Sequence, residues 1–155
     1  MHIKPELVID AAKLISMVAG FCGVIYQINN YRKQMNAQIL LKYTERYERI
    51  LEQFPQDALD ARFDVKVLPP PSPQIRLCVL KYLNLCSEEY YLKSHGYLSE
   101  SIWCIWEADL KRIIASPLLR REWSALRTEF LGHQKFLEYV EDIQTQQKTA
   151  TAAHA

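Results

Sequence analysis

Glycine is scarce in this chain, four in 155 residues, and the shortage removes several functions at once. A phosphate-cradling loop needs closely spaced glycines so that backbone amides can approach the anion, and no such cluster exists. No serine stands in a nucleophile-elbow pattern, so acyl transfer lacks its central part. Cys22, Cys78, Cys86 and Cys104 include no C-x-x-C pair and no histidine at metal spacing, which argues against zinc. The Glu-x-x-His pairs of di-iron bundles are missing too. Charge of one sign is equally lacking: 19 basic residues stand against 18 acidic ones for a net charge of +1. Beyond residue 40 the two signs are interleaved, so no field is built for nucleic acid.

What is present is apolar and aromatic. Hydrophobic residues make up 49% of the chain, with nine Tyr and three Trp, a composition that favours packed helices over a turn-rich β chain. Leu14 to Tyr31, LISMVAGFCGVIYQINNY, contains no charge at all in a protein that is 24% charged. Extended back to Leu7, the apolar run to Ile28 is 22 residues. As a helix rising ~1.5 Å per residue it is about 33 Å long, matching the apolar thickness of a bilayer. The run is therefore expected to be a membrane anchor with Leu14, Met17, Val18, Phe21, Val24 and Ile25 in lipid. Asp10 and Lys13 lie three apart near one end, where they can pair and the lysine can reach the headgroups. A cleavable signal is disfavoured because the run passes into INNYRKQ without a small-x-small site. The competing reading is an amphipathic helix buried in a soluble core. Gly20 and Gly23 are three apart rather than four, so close dimerisation through G-x-x-x-G is not supported.

Arg32, Lys33, Lys42, Arg46 and Arg49 follow the run, against Lys4 and Lys13 before or within it. By the positive-inside rule the C-terminal side is cytoplasmic and the N-terminus outside. The helix is expected to continue, because Ile25, Ile28, Tyr31, Met35, Ile39, Tyr43, Tyr47, Ile50 and Phe54 recur at a mean spacing of about 3.6. Neither proline nor glycine interrupts Val24 to Phe54. Residues 55–72, ending in VLPPPSP, read as a connector because proline lacks the amide a helix needs. One short helical turn is expected between Asp57 and Asp64.

Ser72–Pro73 is a helix start, and Ile75 to Cys86 is apolar on nearly all sides, which predicts the central helix of a bundle. Cys78 and Cys86 would lie about 12 Å apart on it at ~1.5 Å per residue, too far for a disulfide, and read as reduced core residues. Gly96 stops this helix, and Ser99 caps the next, with Ile102, Trp103, Trp106, Leu110, Ile113 and Ile114 on helical spacing. Ser116–Pro117 opens another, with Leu119, Trp123, Leu126 and Phe130 as its buried stripe up to Gly132. A last helix holds Phe136, Val140 and Ile143, and residues 144–155 are expected to be a disordered tail. The fold class is all-α: a transmembrane helix continuing as a long helix into a small antiparallel bundle. The division expected is an anchor over 1–31, a cytoplasmic helical domain over 32–143 and the tail.

The stretch EEYYLKSHGYLSESIWCIWEADLKRIIASPLLRREW, with Gly96, Leu98, Trp103, Trp106, Pro117 and Trp123, resembles a family of uncharacterised bacterial proteins grouped as a domain of unknown function. That resemblance extends over roughly Leu7 to Val140, with Ile25 and Tyr26 in the membrane helix. It implies an anchor in the cell inner membrane and a small helical domain, and it implies no reaction.

Chemistry has one weak foothold, Glu88, Glu89 and His95, since residues 88 and 95 share a helix face. Glu129 and His133 are four apart but Gly132 is expected to end the helix between them. Tyr90, Tyr91, Trp103 and Trp106 would line an apolar pocket at the bundle end, if they are not simply core. The function expected is a membrane-anchored interaction or scaffolding module, not an enzyme, with no cofactor and no metal. Its partners would be membrane lipid and either another protein or a second copy. A membrane-active toxin or pore former is one alternative, and a ligand-binding or enzymatic bundle built on Glu88, Glu89 and His95 the other.

Overall fold

The computed structural model describes residues 5–152, and within them the side chains of 5–8, 10, 11, 65 and 147–152 are not described. The described residues contain no strand. They form six α-helices: α1 (Pro5–Leu51), α2 (Gln56–Ala61), α3 (Pro73–Ser94), α4 (Glu100–Ile114), α5 (Pro117–Leu126) and α6 (Gln134–Ala152). Single 3-10 turns occupy Val65–Val67 and Arg127–Phe130. By packing, the chain divides into two units, Met1–Ile39 and Leu40–Ala155. This boundary falls beyond the 31/32 division suggested by apolarity, because the helix continues unbroken through Arg32 to Ile39.

The first unit is helix throughout its described part. The large apolar side chains from Leu14 to Tyr31 are exposed, Leu14 at 62%, Met17 at 72%, Phe21 at 67% and Ile25 at 45% among them, while Met35 and Ile39 are half-buried. The eighteen-residue apolar window of the Ala12–Leu51 segment has a mean hydropathy of 1.3 and none of it is buried. This helix is long and apolar enough to cross a membrane. The Ser16 hydroxyl donates to the Ala12 carbonyl at 2.9 Å, so a polar group inside the run is satisfied within the helix. The Asp10 side chain lies outside the described residues, and with it the expected pairing to Lys13.

The second unit is a bundle built round α3, which packs against α4, α5 and α6. Its buried residues, Ile75, Cys78, Val79, Tyr82, Leu83, Leu85 and Cys86, share one face about 160° wide at ~100° per residue. Arg76, Leu77, Lys81 and Asn84 on the other side are exposed, so the helix is buried on one side rather than nearly all round as its apolarity suggested. Ser72 accepts from the Ile75 amide at 3.2 Å, with Pro73 in the first turn, and Ser116 accepts from the Leu119 amide at 3.4 Å, with Pro117 likewise. Each such cap contributes about 1 kcal/mol. Ser99 also stands at the N-cap of its helix, but its hydroxyl makes no capping bond and lies 3.1 Å from that of Ser101. At the other end of α3, Gly96 has φ +71°. The Tyr97 amide bonds the Leu92 carbonyl at 2.9 Å and the Gly96 amide bonds that of Lys93 at 3.0 Å, a Schellman stop that needs a residue free to go left-handed.

Three further expectations change. The connector is more ordered than its prolines suggested, since α2 buries Ala58 and Ala61, and the Leu118 amide donates to the Arg62 carbonyl at 3.3 Å. The stripe on α5 ends earlier, with Arg127–Phe130 tightening into a 3-10 turn that still buries Phe130. Helix α6 runs to Ala152, past Ile143 and through most of the segment expected to be a disordered tail. Gln, Lys and Ala in TQQKTATA are good helix formers, and without Gly or Pro nothing ends the helix at Gln144. Residues 153–155 of that tail lie outside the described residues.

Candidate functional site

Adjacent residues on a helix point about 100° apart, and Glu88 and Glu89 on α3 accordingly meet different surroundings. Glu88 faces the last turns of α1. Arg46 Nη1 and Nη2 donate to its two carboxylate oxygens at 2.5 and 2.9 Å, and the Tyr43 hydroxyl donates at 3.1 Å. The Arg46 hydrogen bonds hold the Glu88 carboxyl below its usual range and raise Arg46 in turn. Both side chains remain partly exposed, at 37% for Arg46 and 46% for Glu88, so this fork locates α1 on α3 more than it stabilises it.

Glu89 turns the other way and is 9% exposed. No described residue donates a hydrogen bond to it. Burial pushes its carboxyl up to about 8, opposed by the nearby Arg46 charge and reinforced by Glu88, so at neutral pH it is a neutral acid. It lines a cavity of about 260 Å³ between the Leu40–Leu51 part of α1, α3 and α4. The aromatic walls of that cavity are Tyr43, Tyr47, Tyr82 and Trp106. Tyr43 and Trp106 pack at 5.4 Å between ring centres, and Tyr47 and Tyr82 at 6.1 Å. Burial raises Tyr43, Tyr47, Tyr82 and the Cys86 thiol, which keeps all four uncharged.

His95 is not part of this arrangement. It caps the end of α3, with Nδ1 2.9 Å from the Tyr91 carbonyl and its ring 4.0 Å from that of Tyr91 and 6.4 Å from that of Tyr97. The aromatic pocket expected from Tyr90, Tyr91, Trp103 and Trp106 is likewise divided. Tyr90 and Trp103 join Phe136 and Tyr139 in a cluster between α3, α4 and α6, whereas Trp106 faces α1 and Tyr91 is 54% exposed. The cause is again helical phase, because Trp103 and Trp106 are three apart and α4 is gripped from two sides.

Glu122 was not singled out by sequence and is the most deeply buried acid, at 1% exposure. Arg121 Nε donates to one carboxylate oxygen at 2.8 Å and Arg76 Nε to the other at 3.4 Å. Arg121 Nη1 also donates to the Pro69 carbonyl at 2.5 Å, so the carboxylate fixes the arginine that holds the proline segment. Its signal was legible: Leu118, Glu122 and Leu126 share one face at a spacing of four, an acid within an apolar stripe beside an arginine.

Among the described residues no group of three or more His, Cys, Asp or Glu is placed to hold a metal. Cys78 and Cys86 are buried free thiols, whereas Cys22 and Cys104 are exposed. The chain is thus an all-α protein, one long apolar helix followed by shorter helices packed on each other. No family model, curated protein or solved structure matches it.

Proposed function

We propose that the chain is a single-pass membrane protein that presents a cytoplasmic helical bundle to a protein partner or to a second copy of itself. The observation that carries the reading is the distribution of apolar exposure on α1. Leu14, Ile15, Met17 and Val18 are exposed at 62, 68, 72 and 54% on one side of the helix, and Ser16, Ala19, Gly20 and Gly23 on the other side are exposed and uncharged. A helix docking on protein needs an apolar stripe, with a polar face left for water. A surface without charge on any side suits lipid, where each backbone group is already bonded within the helix. The excess of Arg and Lys after the run supports a cytoplasmic bundle with the N-terminus outside, and we take the inner membrane of a bacterium as the setting. The bundle contributes caps, ion pairs and a packed core, and its exposed Leu41, at 70%, and Leu77, at 51%, give a partner apolar footholds.

Fractionation with an alkaline wash, combined with crosslinking in the intact membrane, tests the reading. The chain is expected in the washed pellet, with a crosslinked adduct to itself or to a second protein. Release into the alkaline supernatant overturns the anchor, and a monomer as the sole product overturns the interaction role.

A further inference from the structure

We propose that the cavity between the last turns of α1, α3 and α4 binds an organic ammonium ion, with Glu89 as its counter-ion and Tyr43, Tyr47, Tyr82 and Trp106 as its walls. The inference goes beyond the anchoring and interaction roles and does not depend on them.

It starts from a mismatch between two neighbouring acids. Glu88, half exposed and able to ionise in water unaided, takes both donors of the nearest guanidinium. Glu89, 9% exposed, accepts nothing from any described residue. A carboxyl so little exposed, with no protein donor and a cavity beside it, has room to take a partner supplied from outside. The cavity beside it measures about 260 Å³, whereas ~10–15 Å³ would suffice for a water.

The walls select the kind of partner. Aromatic faces carry negative electrostatic potential, and an ammonium group stripped of water is held by several of them together. Tyr43 already shows this affinity, with the Arg46 guanidinium 5.1 Å from its ring centre. Asp109 adds a second acid to the lining, and no lysine or arginine lines the cavity. Asp109 is two-thirds exposed and paired with Arg112 at 3.1 Å, so Glu89 is the acid left to a ligand; an anion would find no cation on the lining, and a neutral apolar molecule would leave Glu89 as it is. A cation with apolar substituents satisfies the rings and the acid at once.

Such binding must take a proton off Glu89. The charged or titratable groups facing it are Tyr43, Arg46 and Tyr47 from α1, Tyr82, Cys86 and Glu88 from α3, and Asp109 from α4. The tyrosines and the thiol are held neutral by burial and Glu88 is held ionised by Arg46, so Glu89 is the group among these whose charge the ligand changes near neutral pH.

The test uses the full chain in maltoside micelles and two probes of one shape, benzyltrimethylammonium and its uncharged isostere neopentylbenzene, followed by calorimetry. The ammonium should bind about thirtyfold or more tightly than the isostere, the discrimination given by a buried charge partner. Its affinity should rise about tenfold per pH unit from 5.5 to 7.5 and level off above 8, with close to one proton released per ligand. Glu89→Gln should abolish both the preference and the release. Trp106→Leu should weaken binding yet keep the proton release. Equal binding of the two probes, an affinity indifferent to pH, or no binding of the ammonium at millimolar concentration overturns the proposal, and all three are read on the unaltered chain. Choline and phosphocholine separate two sources of the same chemistry. Equal affinity points to a lipid headgroup, weaker binding of phosphocholine to a free amine, and either keeps the ammonium site.

Discussion

Replacing Glu89 by Gln should stabilise the protein by an amount that grows with pH. In the unfolded chain this carboxyl ionises at its ordinary value of 4.5, while in the fold it holds its proton to about 8. Between those values the folded state binds more protons than the unfolded one, so each pH unit of rise removes ~1.4 kcal/mol of stability. The loss is nil below pH 4.5, roughly 3 kcal/mol at pH 7 and roughly 5 kcal/mol above pH 8. Glutamine has nearly the same shape and no proton to lose, so it escapes the whole term. Histidines and the other carboxylates titrate over parts of the same range, but they are common to both chains and cancel in the difference. The assay is urea unfolding of the bundle, followed by tryptophan fluorescence in full-length wild type and Glu89→Gln in micelles, from pH 5 to 8.5. The two curves should nearly coincide at pH 5 and part steadily until they run parallel above pH 8. A constant gap, or a wild type that gains on the variant as pH rises, would refute the idea that Glu89 is buried in its neutral form.

Two further outcomes follow from other parts of the chain. Glu122→Leu should destabilise the bundle by ~3 kcal/mol or more despite the apolar replacement, because it strips Arg121 and Arg76 of their buried acceptor; equilibrium unfolding checks it, and the Pro69 segment should become the first site of proteolysis. In the long helix, Val18→Arg should cost ~2.5–3.5 kcal/mol of membrane insertion, visible as a shift of the chain from washed membranes to the soluble or aggregated fraction, whereas Leu41→Arg in the second unit should leave partitioning unchanged.

The parts of the architecture that were legible in sequence are those governed by one dominant local signal. The uncharged run to Tyr31 announces a helix with no charged face, and the apolar density of Ile75 to Cys86 announces the central place of α3, though only one face of it is buried. Ser72–Pro73 and Ser116–Pro117 mark helix starts because hydroxyl and ring chemistry act within four residues. What escaped depends on partners distant in the chain. Glu88 and Glu89 look alike as a dipeptide, and only the α1 and α4 surfaces on either side of α3 make one an exposed ion-pair member and the other a buried acid. Trp106 meets Tyr43 from a helix 63 positions earlier, which no local spacing on α4 announces. The length of α6 was missed for a different reason: TQQKTATA has no apolar periodicity in sequence, and propensity alone speaks for a helix there.

Cysteine accessibility tests the membrane anchor most directly. Cys22 and Cys104 are both exposed on the protein, and Cys78 and Cys86 are both buried in its bundle. Permeabilised membranes treated with a charged maleimide, which reacts in water and does not enter lipid, should therefore yield modification at Cys104 with Cys22 untouched. After denaturation in urea and detergent all four should react. Modification of Cys22 as fast as Cys104 in the intact membrane would mean that the apolar helix lies in water, and the account of it as a membrane span would fail.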